Sequence, residues 1–462
     1  MSLKSIENNY FSHYLETLRM GFPIIIARTS ILIMVTVDAI MTGWAGPEEL
    51  AYLGLGLAPV LTLMVIFIGA LNATVVLASQ AIGSKEQNSI GLIWHTSLLH
   101  SVIFSLIAIF LAFYVEEFFV FTGQDATISH LSAEVSLVFA CGIPGMLFFV
   151  ATNLILEAIG YQKVGMYVMI FVNILNILFN GIFILEWGGL YSQGGAYEAI
   201  LVSSILRWTA FIISLIYLVK ISIDKDSIYR VNVNLISYGK IISLFTHDIA
   251  YKFRKIAFPM SLLQGVESVA FGVVVFIAGW FGAAALAANQ ATFTVMNLVY
   301  MSAIGVAGAT SIRVGIAVGQ KDIMGTKLSG FMGLMVGFTL TLPISIFTIL
   351  YPELIAKLFF SDIQMIEITT EIIYLVGFLF VFDTMMAVSL GALRGTGDVW
   401  IPFFILAFCF WILGLPLAYI FAVHLGYGLT GLWIGIGIGI ISSLLLLVPR
   451  FYIISSNPIK RI

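Results

Sequence analysis

Twelve times along the chain a run of about twenty residues passes with almost no charge, the length an α-helix needs to cross the hydrocarbon core of a bilayer. In lipid only helices and closed barrels satisfy every backbone polar group, so runs of this length predict an all-α membrane protein. They fall near 20–42, 52–79, 92–115, 132–157, 164–187, 196–220, 256–280, 286–317, 328–351, 369–393, 400–423 and 428–450. Prolines such as Pro343 and Pro416 inside the runs predict local bending. Composition agrees: of 462 residues, 60% are hydrophobic and 10% charged, far too apolar for a soluble protein.

Orientation follows from the basic residues, because loops rich in lysine and arginine stay cytoplasmic. Lys4, Arg19, Lys85, Lys163, the cluster from Lys220 to Lys255, Arg313, Lys321, Lys327, Arg394, Arg450, Lys460 and Arg461 fall on one side if every run spans. The other side holds Glu48, Glu49, Glu116, Glu117, Asp125, Glu186, Glu353 and Asp362, with Lys357 the single basic exception. Both termini are therefore expected in the cytoplasm. Arg28 and Arg207 remain inside helices.

The chain also repeats itself. WAGPEELAYLG (Trp44–Gly54) aligns with WFGAAALAANQ (Trp280–Gln290), Phe22–Pro23 with Phe258–Pro259, and Gly83 with Gly319, each about 236 residues on. LEAIGYQ (Leu156–Gln162) lies opposite LRGTGDV (Leu393–Val399) at nearly the same shift. This is an internal duplication, with six spans per half, both halves entering from the cytoplasm, and a pseudo-twofold axis normal to the membrane. The expected organisation is a six-helix lobe over 1–220, a cytoplasmic linker over 221–255 and a second six-helix lobe over 256–462. Within the linker, Leu235 to Phe245 reads as a short amphipathic surface helix.

Few chemical classes survive. The two cysteines, Cys141 and Cys409, lie in apolar runs without a CxxC partner and read as buried thiols. The nearest histidines, His95 and His100, are five apart and off one face. A net charge of −3 gives no reason to expect a nucleic-acid partner. No nucleophile and base pair, metal motif or P-loop appears, so an enzyme or an ATP-driven pump is disfavoured. A receptor or scaffold would need no acid in mid-membrane.

Yet acids are there. A charge at the bilayer centre costs about 2.5–3.5 kcal/mol on insertion scales, so each one demands a reason. Counting along the predicted helices puts Glu267 roughly 16 Å and Asp383 roughly 15 Å from the cytoplasmic end, at one level. Asp38 lies nearer the outer end, at about the depth of Asn176 and Asn180, which share a helical face. An acid facing two amides suits sodium, a hard cation that takes oxygen ligands, or a proton relay. Structural alternatives stay open: Glu267 or Asp383 paired with Arg28 or Arg207 as a buried ion pair, Asp38 in a capping or interhelical bond, and the asparagines in plain packing. Glu134 and Glu198, near helix ends, read as interfacial.

The FP pair followed eight residues after Pro259 by Glu267, the VDAIMTGWAGPEELAYLGLG segment, the VGQ and LRGTGD turns and the asparagine-bearing fifth helix together resemble the multidrug and toxic compound extrusion family. The resemblance covers nearly the whole chain, and Glu267 with Asp383 is similar to its NorM-like branch. It implies a V-shaped transporter without cofactor, expected as a monomer in the cell membrane (the inner membrane of a Gram-negative cell). Such a transporter exports organic cations and amphiphilic drugs in exchange for sodium ions or protons. It also implies an amino-lobe cation site at Asp38, Asn176 and Asn180, carboxy-lobe acids at Glu267 and Asp383, and substrate contacts at Glu267, Asp383, Gln290 and Tyr300. Two departures stand out. GGAYEAI ends in Ile200 where relatives often have threonine, which predicts one missing amino-lobe cation ligand, and Arg28 is unusual on the first helix, where it would partner an acid or alter substrate choice.

The mechanism expected on physical grounds is competition. A small cation or proton on a carboxylate favours one arrangement of the lobes and an organic cation on the same carboxylates favours the other. The ion gradient and the membrane potential, about 2.3 kcal/mol per charge per 100 mV, drive it. Met260, Phe293, Met296, Met385 and Met386 would offer adaptable contacts, or simply pack helices. The alternative of related fold is a flippase for lipid or lipid-linked oligosaccharide, which would use basic residues such as Arg28 and Arg207 for phosphate.

Overall fold

The computed structural model describes residues 10–189, 194–223 and 245–461. Among them are twelve helices long and apolar enough to cross a membrane. They are α1 (Tyr10–Ala45), α2 (Pro47–Gly83), α3 (Asn88–Ala112), α4 (Ala126–Ala158), α5 (Gln162–Phe183), α6 (Ala196–Ile223), α7 (Asp248–Gly279), α8 (Ala283–Gly319), α9 (Ile323–Leu350), α10 (Ile363–Thr396), α11 (Trp400–His424) and α12 (Gly428–Ser455). All twelve expected runs are present, most of them longer than the apolar stretch that announces them. The amphipathic segment expected from Leu235 lies outside the described residues up to its last position, Phe245.

Helix ends repeat as faithfully as the sequence does. After α2 the amide of Glu86 bonds the carbonyl of Ala81 at 2.9 Å, with Lys85 left-handed at φ 63°. After α8 the amide of Asp322 bonds the carbonyl of Ala317 at 2.9 Å, with Lys321 at φ 59°. These are paired Schellman endings, which satisfy carbonyls that a helix terminus would leave bare. The ends of α4 and α10 form a second such pair, closed by Gly160 at φ 92° and Gly397 at φ 85°.

The described residues divide into two compact units, one within Ile26–Ser261 and one within Met1–Ile25 and Leu262–Ile462. Both divisions fall two residues past a proline, Pro23 in α1 and Pro259 in α7, where the ring removes a backbone donor from the helical ladder. In the unit containing α8, α10, α11 and α12, close approach rests on small residues. Gly391 and Gly395 lie over the backbone of Ala307 and Ser311, and Gly431, Gly435 and Gly439 of α12 lie over the backbone of α11. Lipid gives helices no hydrophobic reason to associate, so van der Waals contact through such stripes holds them together. Pro416 sits between two π-helical turns, Phe408–Gly414 and Ile420–His424, which absorb its missing N–H, while α9 runs helical through Pro343.

One thiol departs from expectation. Cys409 is buried, but Cys141 is exposed on the outer face of α4, because apolar residues on a membrane helix need not face the interior. Met260 is buried, and in the other unit Met296 and Met386 are buried in a core against which Phe293 and Met385 pack partly buried.

Candidate functional site

In the unit of α1 to α6, Asp38 is 1% exposed and fully engaged. Asn176 and Asn180 of α5 donate their Nδ2 to its Oδ1 at 2.9 and 2.7 Å, and Ser203 of α6 donates its hydroxyl to Oδ2 at 2.5 Å. Asn176 also donates to Ser203 Oγ at 3.0 Å, closing a three-helix network. The spacing of four that put both asparagines on one face holds. Asn173, a turn earlier on α5, fastens that helix to α1 by donating to the Ser30 carbonyl at 2.9 Å.

Ile200 brings no hydroxyl to this network; Ser203, three residues further along α6, does. Four buried oxygens near this network, on Asn173, Asn176, Asn180 and Thr42, have no hydrogen-bond partner. Turned about, the two amides that face Asp38 would present oxygen instead of N–H. With the carboxylate and Ser203 they would make the all-oxygen set that a hard monovalent cation takes.

In the other unit, Glu267 of α7 and Asp383 of α10 are each 4% exposed. Tyr300 of α8 donates its hydroxyl to Glu267 Oε1 at 3.0 Å. Asp383 lies within electrostatic range of Glu267 and makes no hydrogen bond to the described residues. Two carboxylates close together in a buried place cannot both stay ionised without a counter-charge. Arg394, in the last turn of α10, supplies one for Glu267, and its Nε has no partner. Gln290 is exposed and ten residues before Tyr300 on α8, roughly 15 Å along the helix, so it stands apart from this group.

The ion pairs weighed for these acids resolve differently. Arg28 pairs with Glu157 of α4 at 3.2 Å, not with Glu267 or Asp383. Arg207 stacks on Phe139, 4.0 Å from the ring centroid, on the side of α6 that also faces Asp38. A cavity of about 20 Å³ beside it is lined by Met34, Met64, Met146 and Met169. Arg394, expected on the aqueous side, reaches inward because its long side chain carries charge away from its Cα. Sequence reasoning passed over Glu157, Asn173, Ser203 and Arg394. Glu134 has His130 3.7 Å away, and Glu198 accepts from the Gly195 amide at 2.7 Å.

Known proteins resemble the chain along almost its entire length. The MatE family model matches it twice, over residues 23–182 and 259–420, one match for each half. A probable multidrug resistance protein NorM of Bacillus anthracis is 26% identical over 96% of this chain and 97% of its own length. The multidrug resistance protein MdtK of Photorhabdus laumondii is 26% identical over 96% of this chain and 95% of its own. Among solved structures, the eukaryotic MATE transporter AtDTX14 superposes with a TM-score of 0.86 at 16% identity, covering 96% of each chain, which shows a shared two-bundle fold.

Proposed function

The chain belongs to the MatE family, and from that premise we propose that it is a secondary active exporter of organic cations and amphiphilic drugs, exchanging them for inward sodium ions or protons. Relatives named as multidrug resistance proteins support the export of drug-like molecules. The observation that carries the reading is the carboxy-terminal group, where two buried acids, Glu267 and Asp383, lie within electrostatic range of each other and Arg394 faces Glu267 alone of the two. An uncompensated acid in oil favours whichever cation can reach it. A sodium ion or proton and an organic cation then compete for one negative place, and competition is what couples their movements.

Within this reading Tyr300 orients Glu267, Asp38 with Asn176, Asn180 and Ser203 senses the coupling ion, and Gln290 and Arg28 touch substrate away from Glu267 and Asp383. The duplicated lobes, 1–220 and 256–462, are joined by the cytoplasmic linker 221–255, in a monomer with both termini cytoplasmic and, in a Gram-negative cell, in the inner membrane. A flippase would need cations open to phosphate; Arg207, buried and stacked on the Phe139 ring, gives that alternative less support.

The test is uptake of a fluorescent organic cation into proteoliposomes under a sodium gradient or a pH gradient imposed separately. Glu267→Gln and Asp383→Asn should each abolish exchange while the thermal unfolding midpoint stays near that of the parent. Full transport in both variants would remove the carboxy-terminal acids from the mechanism.

A further inference from the structure

The fourth helix of each half ends in the same turn, LEAIG in α4 and LRGTG in α10, and its second residue is charged with opposite sign: Glu157 in one, Arg394 in the other. Each meets the first helix of its own half. Glu157 takes Arg28 of α1, and Arg394 lies in electrostatic reach of Glu267 of α7. The fourth-helix positions are equivalent in the repeat and opposite in charge, while their first-helix partners are not, since the repeat sets Arg28 opposite Gln264, three residues before Glu267.

The two partners in the amino-terminal half are unequally satisfied. Glu157 is 2% exposed, and both oxygens are used: Oε1 accepts from Asn153 Nδ2 at 2.6 Å and from Arg28 Nη2 at 3.2 Å, and Oε2 from the same Nη2 at 3.3 Å. Arg28 is 13% exposed and spends only that one nitrogen. A guanidinium has five N–H donors in a planar fork, so Nε and Nη1 remain open to an acceptor from outside the protein. Asn153 Oδ1 is buried without a partner, and the absence of a side chain at Gly165 of α5 makes room for it. Of the helices packed on α4, only α1 brings a charged group to Glu157; α2, α3, α5 and α6 bring none among the described residues.

We propose that Arg28 and Glu157 form a proton-gated anion site in the amino-terminal half, where the unspent donors of Arg28 take the carboxylate of an amphiphilic ligand and Glu157 is the resident competitor. This rests on the export reading for its cargo but not for its chemistry. While Glu157 is ionised it satisfies Arg28. A proton from the aqueous phase neutralises Glu157, the guanidinium is left without a counter-charge, and a planar carboxylate supplies one in bidentate form. When Glu157 returns its proton to water it displaces the ligand. The charge of the site is the same before and after.

The experiment measures binding to full-length protein in nanodiscs by fluorescence polarisation, using one xanthene dye as its free carboxylate and as its methyl ester. The quantity read is the ratio of carboxylate to ester affinity. Arg28→Gln should lower that ratio about ten-fold or more, the usual scale for losing a charge-assisted pair. Glu157→Gln, which keeps the bond from Asn153 but holds the site in its neutral form, should raise it. Because Arg28→Gln strands a buried acid, the double variant Arg28→Gln/Glu157→Gln is measured too and should show the lowered ratio with restored thermal stability. Ratios unchanged in all three variants, or moving in the opposite sense, would overturn the site. Export of the ester dye by the parent protein is scored separately in proteoliposomes, and its failure would count against the export reading alone.

Discussion

Ser203 holds one oxygen of Asp38 while two asparagines share the other, so a buried carboxylate survives through three donors from two helices. Removing one donor leaves part of that charge unsatisfied, at a cost of about 1–3 kcal/mol. Ser203→Ala is therefore expected to slow ion-driven export about ten-fold, whereas Ser203→Thr, which keeps the hydroxyl, should stay near the parent rate; initial rates in proteoliposomes decide it. Equal rates for the two would show that Asp38 does not depend on this bond. Asp38 and its asparagines were legible because an acid in an apolar run and amides four apart are rare on a membrane helix. Ser203 was not, because hydroxyls are common there and only the packing of α6 against α1 and α5 selects one. Glu157 was hidden for a different reason. It stands at the end of its apolar run, where a charge ordinarily meets water, and nothing local points to Arg28, 129 residues earlier.

At the level of elements, the glycine stripe of α12 decides the sign of a substitution. In an ordinary helix Gly→Ala stabilises by about 0.5–1 kcal/mol, because glycine loses more conformational freedom on folding. At Gly435 a Cβ would run into the backbone of Ala418, whereas at Gly272 of α7 it would meet nothing within 4 Å. Overpacking costs about 1–3 kcal/mol, enough to reverse the propensity gain. Gly435→Ala is thus expected to lower the thermal unfolding midpoint in detergent and Gly272→Ala to hold or raise it. Matching shifts would mean that the stripe is not in contact. The paired turns follow the same logic in the backbone. Gly160 and Gly397 occupy left-handed positions, and alanine at either should lower the midpoint, since that conformation costs an L-residue about 1–2 kcal/mol. Helices and turns were readable because length, apolarity and a repeated GxK or LxxxG ending are local signals. The π-helical turns around Pro416 were not, since they arise where the missing N–H meets the close approach of α12.

For the whole molecule, the buried charges of each unit can be balanced separately. In the amino-terminal unit Asp38 and Glu157 stand against Arg207 and Arg28, so the charges sum to zero. In the other unit Glu267 and Asp383 stand against Arg394, while Arg313 is already paired with Glu16 at 3.0 Å, leaving one negative charge when both acids are ionised. One monovalent cation completes that balance, whether it is sodium, a proton or an organic cation. Exchange of one for one then moves no net charge across the membrane. A potential of about 100 mV shifts accumulation about fifty-fold for each net charge moved, so the two cases separate cleanly. With neither a sodium nor a pH gradient present, a potassium diffusion potential should leave protein-dependent exchange of a monovalent dye unchanged, once uptake by protein-free liposomes is subtracted. Potential-driven exchange in that experiment would mean that Glu267 and Asp383 each release a separate cation per cycle, and that the single compensating arginine does not set the stoichiometry.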